Sequence, residues 1–156
     1  MSPVRTRRLA GAIAGGLVAG LGITALLMRG EAKSGTPSEL ADLERAAFAK
    51  AGRDVPSHDQ LPDAGEQAVI QGGHLLLSAV AGAAYALATD EDAGIVPSGI
   101  GFGLAFYGAM HWIAGPALGL KSPEWQADKA TIAMHGVNHL GFGLVTAAGA
   151  ALAGRR

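Results

Sequence analysis

Apolar and charged positions are sharply segregated along this chain. Four windows contain no Asp, Glu, Lys or Arg: residues 9–28, 67–89, 93–120 and 130–154, which are 20, 23, 28 and 25 residues long. A bilayer core of roughly 30 Å is crossed by about 20 helical residues at 1.5 Å each, and every window reaches that length. The pattern predicts an all-α fold, a four-transmembrane-helix bundle with spans near 9–28, 68–89, 95–115 and 131–153. These would form one integral membrane domain with a single extramembrane loop at 29–66. A soluble, Ala-rich bundle is the competing reading, because mean hydropathy is only +0.28. Such a bundle would place polar residues every three or four positions along its wet face, and the first window holds nothing more polar than Thr24.

The loop at 29–66 carries Arg29, Lys33, Arg45, Lys50 and Arg53 with eight acidic residues. Within it, Thr36-Pro37-Ser38-Glu39 reads as a capping box with proline at the first helical position. Leu40, Leu43, Ala47 and Ala51 follow at helical spacing, and Gly52 supplies a stop. A short amphipathic helix over 37–51 is therefore expected at the membrane interface. Asp90-Glu91-Asp92 can only be a tight turn between antiparallel helices, and Trp112 and Trp125 suit an interfacial aromatic belt.

Arg5, Arg7 and Arg8 precede the first window, and Arg155-Arg156 close the chain. Basic flanks prefer the cytoplasm, so both termini are expected there. The alternative is a cleaved signal peptide, for which 20 apolar residues is long. Small residues recur four apart at Gly11/Gly15, Ala12/Gly16/Gly20 and Gly99/Gly103. Such spacing permits close helix contact in lipid, either within the bundle or in a homo-oligomer.

Charge and composition then narrow the chemistry. With 12 basic and 13 acidic residues there is no basic patch for nucleic acid. Cysteine is absent, which removes thiolate metal sites and thiol catalysis. No Ser/His/Asp grouping, phosphate-cradling loop or paired carboxylate stands at catalytic spacing, so the chain reads as non-enzymatic. Four of five histidines lie inside apolar windows: His74, His111, His135 and His139. Successive helices alternate in direction, so all four should sit on the order of 5–12 Å below the same, outer surface. His135 and His139 share a helix face, and Ser78, Tyr85 and Asn138 complete a polar layer. Three roles compete for these histidines. They can hydrogen-bond between helices and pack the bundle; they can bind zinc, copper or haem; or they can sense or relay protons. Glu66, Glu124 and Asp128 lie at window edges, within reach of such a site, while His58 is a solvated loop residue. A small channel or transporter component after oligomerisation is a further alternative.

The run His74-x3-Ser78-x6-Tyr85, then His111-x4-Pro116-x2-Gly119-Leu120-x2-Pro123, then His139, resembles the YagU-like bacterial inner-membrane proteins, a family of unknown function. The resemblance covers roughly residues 73–154. It implies a multi-pass plasma-membrane protein with no established catalytic activity and an association with acid or stress tolerance. His74, His111 and His139 fall on family positions, and His135 does not. The proline- and arginine-rich stretch expected of the family after the first helix is not reproduced at Thr36-Pro37-Ser38.

Overall fold

The computed structural model describes residues 1–155; Arg156, one of the two basic residues at the C-terminus, lies outside them. Among the described residues the fold is helical, with no strand. The first helix, α1, runs over Pro3–Ser34, well past the 9–28 window at both ends. Ser2 caps it by accepting the Arg5 N–H, Pro3 occupies the first turn, and Gly35 ends it in the left-handed conformation. Arg29, Glu31 and Lys33 are therefore helical, and the predicted loop begins six residues later than expected.

The predicted amphipathic helix, α2, spans Glu39–Lys50, but the capping box does not form. Ser38 stands at the N-cap without a side-chain cap, and its Oγ is buried with no partner. The Thr36 hydroxyl pairs with Ser34 instead. Glu39 is drawn away from its capping role because its carboxylate binds across the bundle. The buried face also differs from the predicted stripe: Ala41 and Arg45 are buried, whereas Ala47 and Ala51 are exposed. Arg45 causes the rotation. Its guanidinium bonds both Glu66 carboxylate oxygens, at 2.6 and 3.0 Å, and donates to the carbonyls of Ser57 and Gln60. One buried cation thus organises the whole 52–63 loop. Gly52 does supply the stop: at φ 73° it closes a Schellman pair, with Gly52 N–H on Ala49 O and Arg53 N–H on Phe48 O.

Helix α3 covers Ala64–Ala88 behind an Asp63 cap, and α6 covers Lys129–Gly154 behind an Asp128 cap. Between them, α4 (Ile95–Tyr107) runs into a π-helical segment, Gly108–Ala114, and a one-turn helix α5, Gly115–Ala117. Pro116 explains the change of pitch. It has no N–H for the Trp112 carbonyl and its ring crowds that carbonyl, so the preceding turn widens and Gly115 N–H reaches back to Met110 O. Helices α1, α3 and α6 are each long and apolar enough to cross a membrane. The 93–120 window instead folds as a 13-residue α-helix with a π extension.

The small-residue faces are used inside the chain. A Cβ on Gly11 or Gly15 would meet the α6 backbone at Gly149 or Val145, and one on Gly16 would meet Ser78 O of α3. Gly99 and Gly103 similarly abut Gly143 and His139 of α6. The long helices pack in the order α3–α1–α6–α4, with α1 and α6 as the central pair. Helices α3 and α4 scarcely touch along their length. They meet near their shared turn, where Tyr85 OH lies 2.6 Å from Ser98 Oγ and the Tyr85 and Phe102 rings pack edge to face. That end also holds both described chain ends. Arg8, only 3% exposed, donates to Glu91 O and, at 3.1 Å, to Thr89 Oγ1. Arg8, read from the sequence only as part of a basic flank, is the lock on the Asp90–Asp92 turn.

Candidate functional site

At the opposite end, α2, the π segment, the 118–128 connection and the first turns of α6 converge. Gly119, at φ 62°, turns the chain after α5 so that Lys121 and Glu124 fold back under the bundle. Glu124 sits in a short 3₁₀ turn, Glu124–Gln126, and is completely buried. A buried carboxylate is tolerated only when paired and hydrogen-bonded, and this one has four neighbours. It accepts from Tyr107 OH (2.9 Å) and Lys121 Nζ (2.9 Å), lies 2.7 Å from His135 Nδ1, and has His111 Nδ1 at 3.5 Å.

His135 stands between two carboxylates. Its Nδ1 faces Glu124 Oε1 at 2.7 Å and its Nε2 faces Glu39 Oε2 at 2.5 Å. Only an imidazolium carries a proton on both nitrogens, so this geometry requires the charged ring. Lys121 uses all three of its ammonium protons: on Glu39 Oε1, on Glu124 Oε2 and on His111 Nδ1 at 2.9 Å. His111 therefore accepts at Nδ1 and is neutral. Two carboxylates balance two cations, and the cluster carries no net charge. Burial alone would raise the Glu39 carboxyl, but hydrogen bonds from His135 and Lys121 outweigh it and hold it at about 2. Glu124 is likewise held at about 2, with Tyr107 adding a third donor. The Lys121 ammonium is raised: burial opposes its charge, and the two carboxylates overcome that.

Of the four predicted histidines, three come together. The His111 ring centroid is 4.3 Å from His135 and 4.9 Å from His139. His139 donates from Nδ1 to its own helix, at His135 O (3.0 Å). His74 stands apart on α3, 3.2 Å from Thr24 Oγ1. Ser78 is buried and donates to His74 O, Tyr85 belongs to the far end, and Asn138 lines the adjoining cavity. Of the edge carboxylates, Glu124 enters the cluster, Glu66 pairs with Arg45, and Asp128 caps α6. His58 is 88% exposed, with Asp42 3.4 Å away.

The metal-capable set is not the predicted one. Ligand atoms of Glu39, His111 and His135 lie within 4.8 Å of one another. Lys121 Nζ, however, stands against two of these groups and against Glu124, where a cation between them would sit. The chain thus supplies its own cation there.

Sequence reasoning missed Glu39, Lys121, Tyr107 and Glu31. Glu39 was assigned to a capping box, and Lys121 and Glu124 lie in a connection without periodicity; their i, i+3 spacing was the only local signal. Glu31, 7% exposed, accepts from Ser38 N–H at 2.9 Å and from Gln67 Nε2 at 2.6 Å, tying α1 to α2 and α3.

A cavity of about 720 Å³ adjoins the cluster, bounded by α1, α2, α3, the π segment and α6. Its walls are overwhelmingly apolar, with Leu27, Leu43, Leu77, Phe106, Met110 and Phe142 prominent, and His74, His111, His135, His139 and Asn138 also line it. No protein-family model, curated protein or solved structure matches the chain.

Proposed function

We propose that this is a non-enzymatic, four-crossing membrane protein in which the histidine–carboxylate cluster is a proton-controlled clamp holding α2 across one mouth of the bundle. The observation that carries the reading is His135 doubly bonded between Glu39 of α2 and Glu124 of the connection. When His135 loses its proton, one of its nitrogens presents a lone pair to a carboxylate, and attraction becomes repulsion. All the groups around His135 act on this balance: Glu39 from α2, Lys121 and Glu124 from the connection, Tyr107 from α4, His111 from the π segment, and His139 from α6. His74 of α3 lies beyond His139. In this reading α4 and its π extension make the fourth crossing, the clamp faces the outer leaflet, and the termini are cytoplasmic. YagU-like membership belongs to the same proposal: His74, His111 and His139, the positions that carry the resemblance, all line one cavity. Clamping in mild acid is the behaviour an acid-tolerance role would use.

The chain has no cysteine, so spin labels introduced at Ala49 of α2 and at exposed Val137 of α6 are unique. The expected result is one short distance at pH 5.5 and a second, longer population above neutrality. His135→Gln should show the longer population at both pH values. A distance that does not change with pH in the unaltered protein would overturn the clamp.

A further inference from the structure

We infer that the cavity beneath α2 binds one neutral, single-chain amphiphile whose head carries hydroxyl groups. This rests on the cavity and on histidine tautomers, and it stands whether or not the clamp moves.

The tautomers follow from hydrogen bonds that can run in only one direction. Glu31, a carboxylate, can only accept, so Gln67 turns its amide nitrogen toward it (2.6 Å). Gln67 Oε1 then accepts from Gln71 Nε2 at 3.1 Å, and Gln71 Oε1 accepts from the Thr24 hydroxyl at 2.8 Å. Thr24 has one proton and has spent it, so its oxygen accepts from His74 Nδ1. His74 is the Nδ1–H tautomer, and its Nε2 is a bare acceptor. His139 has the same form, because its Nδ1 donates to a carbonyl. His111 is the reverse, since its Nδ1 accepts from Lys121 and Nε2 carries the proton.

All three Nε2 atoms lack a protein partner among the described residues, and none is sealed in the interior. The three rings line the same cavity, together with the side-chain amide of Asn138. The wall therefore offers two acceptors (His74, His139), one donor (His111) and one group that does both (Asn138). A hydroxyl both donates and accepts, so it complements this set, whereas an ester or a ketone can satisfy only the donors. The neighbouring charges are already balanced, which selects against an ionised head. The remaining wall is leucine, methionine and phenylalanine, suited to a hydrocarbon chain, and about 720 Å³ falls within the roughly 300–1,000 Å³ typical of ligand pockets.

The test uses the purified full-length chain in detergent and native mass spectrometry, with two matched pairs of probes. The first pair is 1-monooleoylglycerol and methyl oleate; the second is decylubiquinol and decylubiquinone. Oleate serves as the charged control. The expected result is a 1:1 adduct for the hydroxylated member of at least one pair, at least tenfold tighter than its hydroxyl-free partner and than oleate. The pair that shows it tells an alcoholic from a phenolic head. His74→Phe should lower that affinity about tenfold without lowering the melting temperature. As a second variant that leaves all three histidines in place, Leu77→Phe should weaken the adduct at least tenfold by narrowing the cavity. Equal binding of both members in each pair, or no retained adduct in either, overturns the proposal. Because every measurement is made at one pH, failure here is distinct from failure of the clamp.

Discussion

Lys121 Nζ and His111 Nδ1 stand 2.9 Å apart, a lysine ammonium donating to a neutral imidazole inside the bundle. That contact sets the His111 tautomer opposite to those of His74 and His139. Side-chain ¹⁵N NMR of histidine-labelled protein should show His111 protonated at Nε2 and both His74 and His139 protonated at Nδ1, with His135 protonated at both nitrogens near pH 5.5. Lys121→Met should release His111 from its tautomer and leave the other two unchanged. A wild-type spectrum with His74 in the Nε2–H form would break the Glu31-to-His74 chain of bonds.

The two buried carboxylates predict an acid limb of stability. Glu39 and Glu124 are held at about 2, below an ordinary value of 4.5. Groups whose folded pKa is depressed stabilise the fold above the ordinary value, and that contribution is lost as pH falls through the folded one. Melting temperature in detergent should therefore fall between pH 4.5 and about 2. In Glu39→Gln the slope over that range should be clearly shallower, and parallel curves for the two proteins would remove Glu39 from the account.

Glycine at 82 is a packing requirement of a different kind. A Cβ there would stand 2.4 Å from Ala12 O on the α1 backbone, whereas one at Gly101 meets nothing within 4 Å. Gly82→Ala should cost about 1–3 kcal/mol by forcing α3 off α1, while Gly101→Ala should be neutral or slightly stabilising, because alanine is the better helix former. Chemical denaturation in mixed micelles would separate the two, and equal effects would contradict the assigned interface.

Lys121 also determines whether the cluster takes a metal. With the ammonium in place, zinc added to the wild-type protein should bind weakly at this site, since Glu39 and His111 are already engaged by Lys121 and His135 is held as an imidazolium between two carboxylates. Lys121→Ala should raise zinc affinity at least tenfold by calorimetric titration, and adding His111→Ala should abolish the gain. Strong wild-type binding lost in His111→Ala would reverse the argument and make the ion the resident cation.

What could be read from the chain beforehand was whatever depends on local pattern. Three of the four charge-free windows located long apolar helices, whereas 93–120 holds a shorter α-helix with a π extension; the four-residue glycine spacings on α1 and α4 marked real contact faces. His111, His135 and His139 were legible as one layer because helix direction alone fixes their depth. Glu39 was not legible: its local context argues for a cap, and only the fold brings it to His135. The same holds for Arg45: Leu40 and Leu43 of the predicted stripe do face the bundle, but Ala47 and Ala51 do not, because a buried cation must reach its partners. The π segment was not anticipated: the missing N–H of Pro116 stands in the sequence, but its effect on pitch depends on the turns around it.

The way α3 and α4 meet only at their shared turn has a mechanical consequence. They are fastened at one end by the Tyr85–Ser98 contact and the Arg8-locked turn, and they separate toward the end strapped by α2. A body of that shape is stiff at its hinge and compliant at its jaws. Any force that spreads the two helices therefore has its greatest leverage where the strap is tied, at the Glu39–His135 contact.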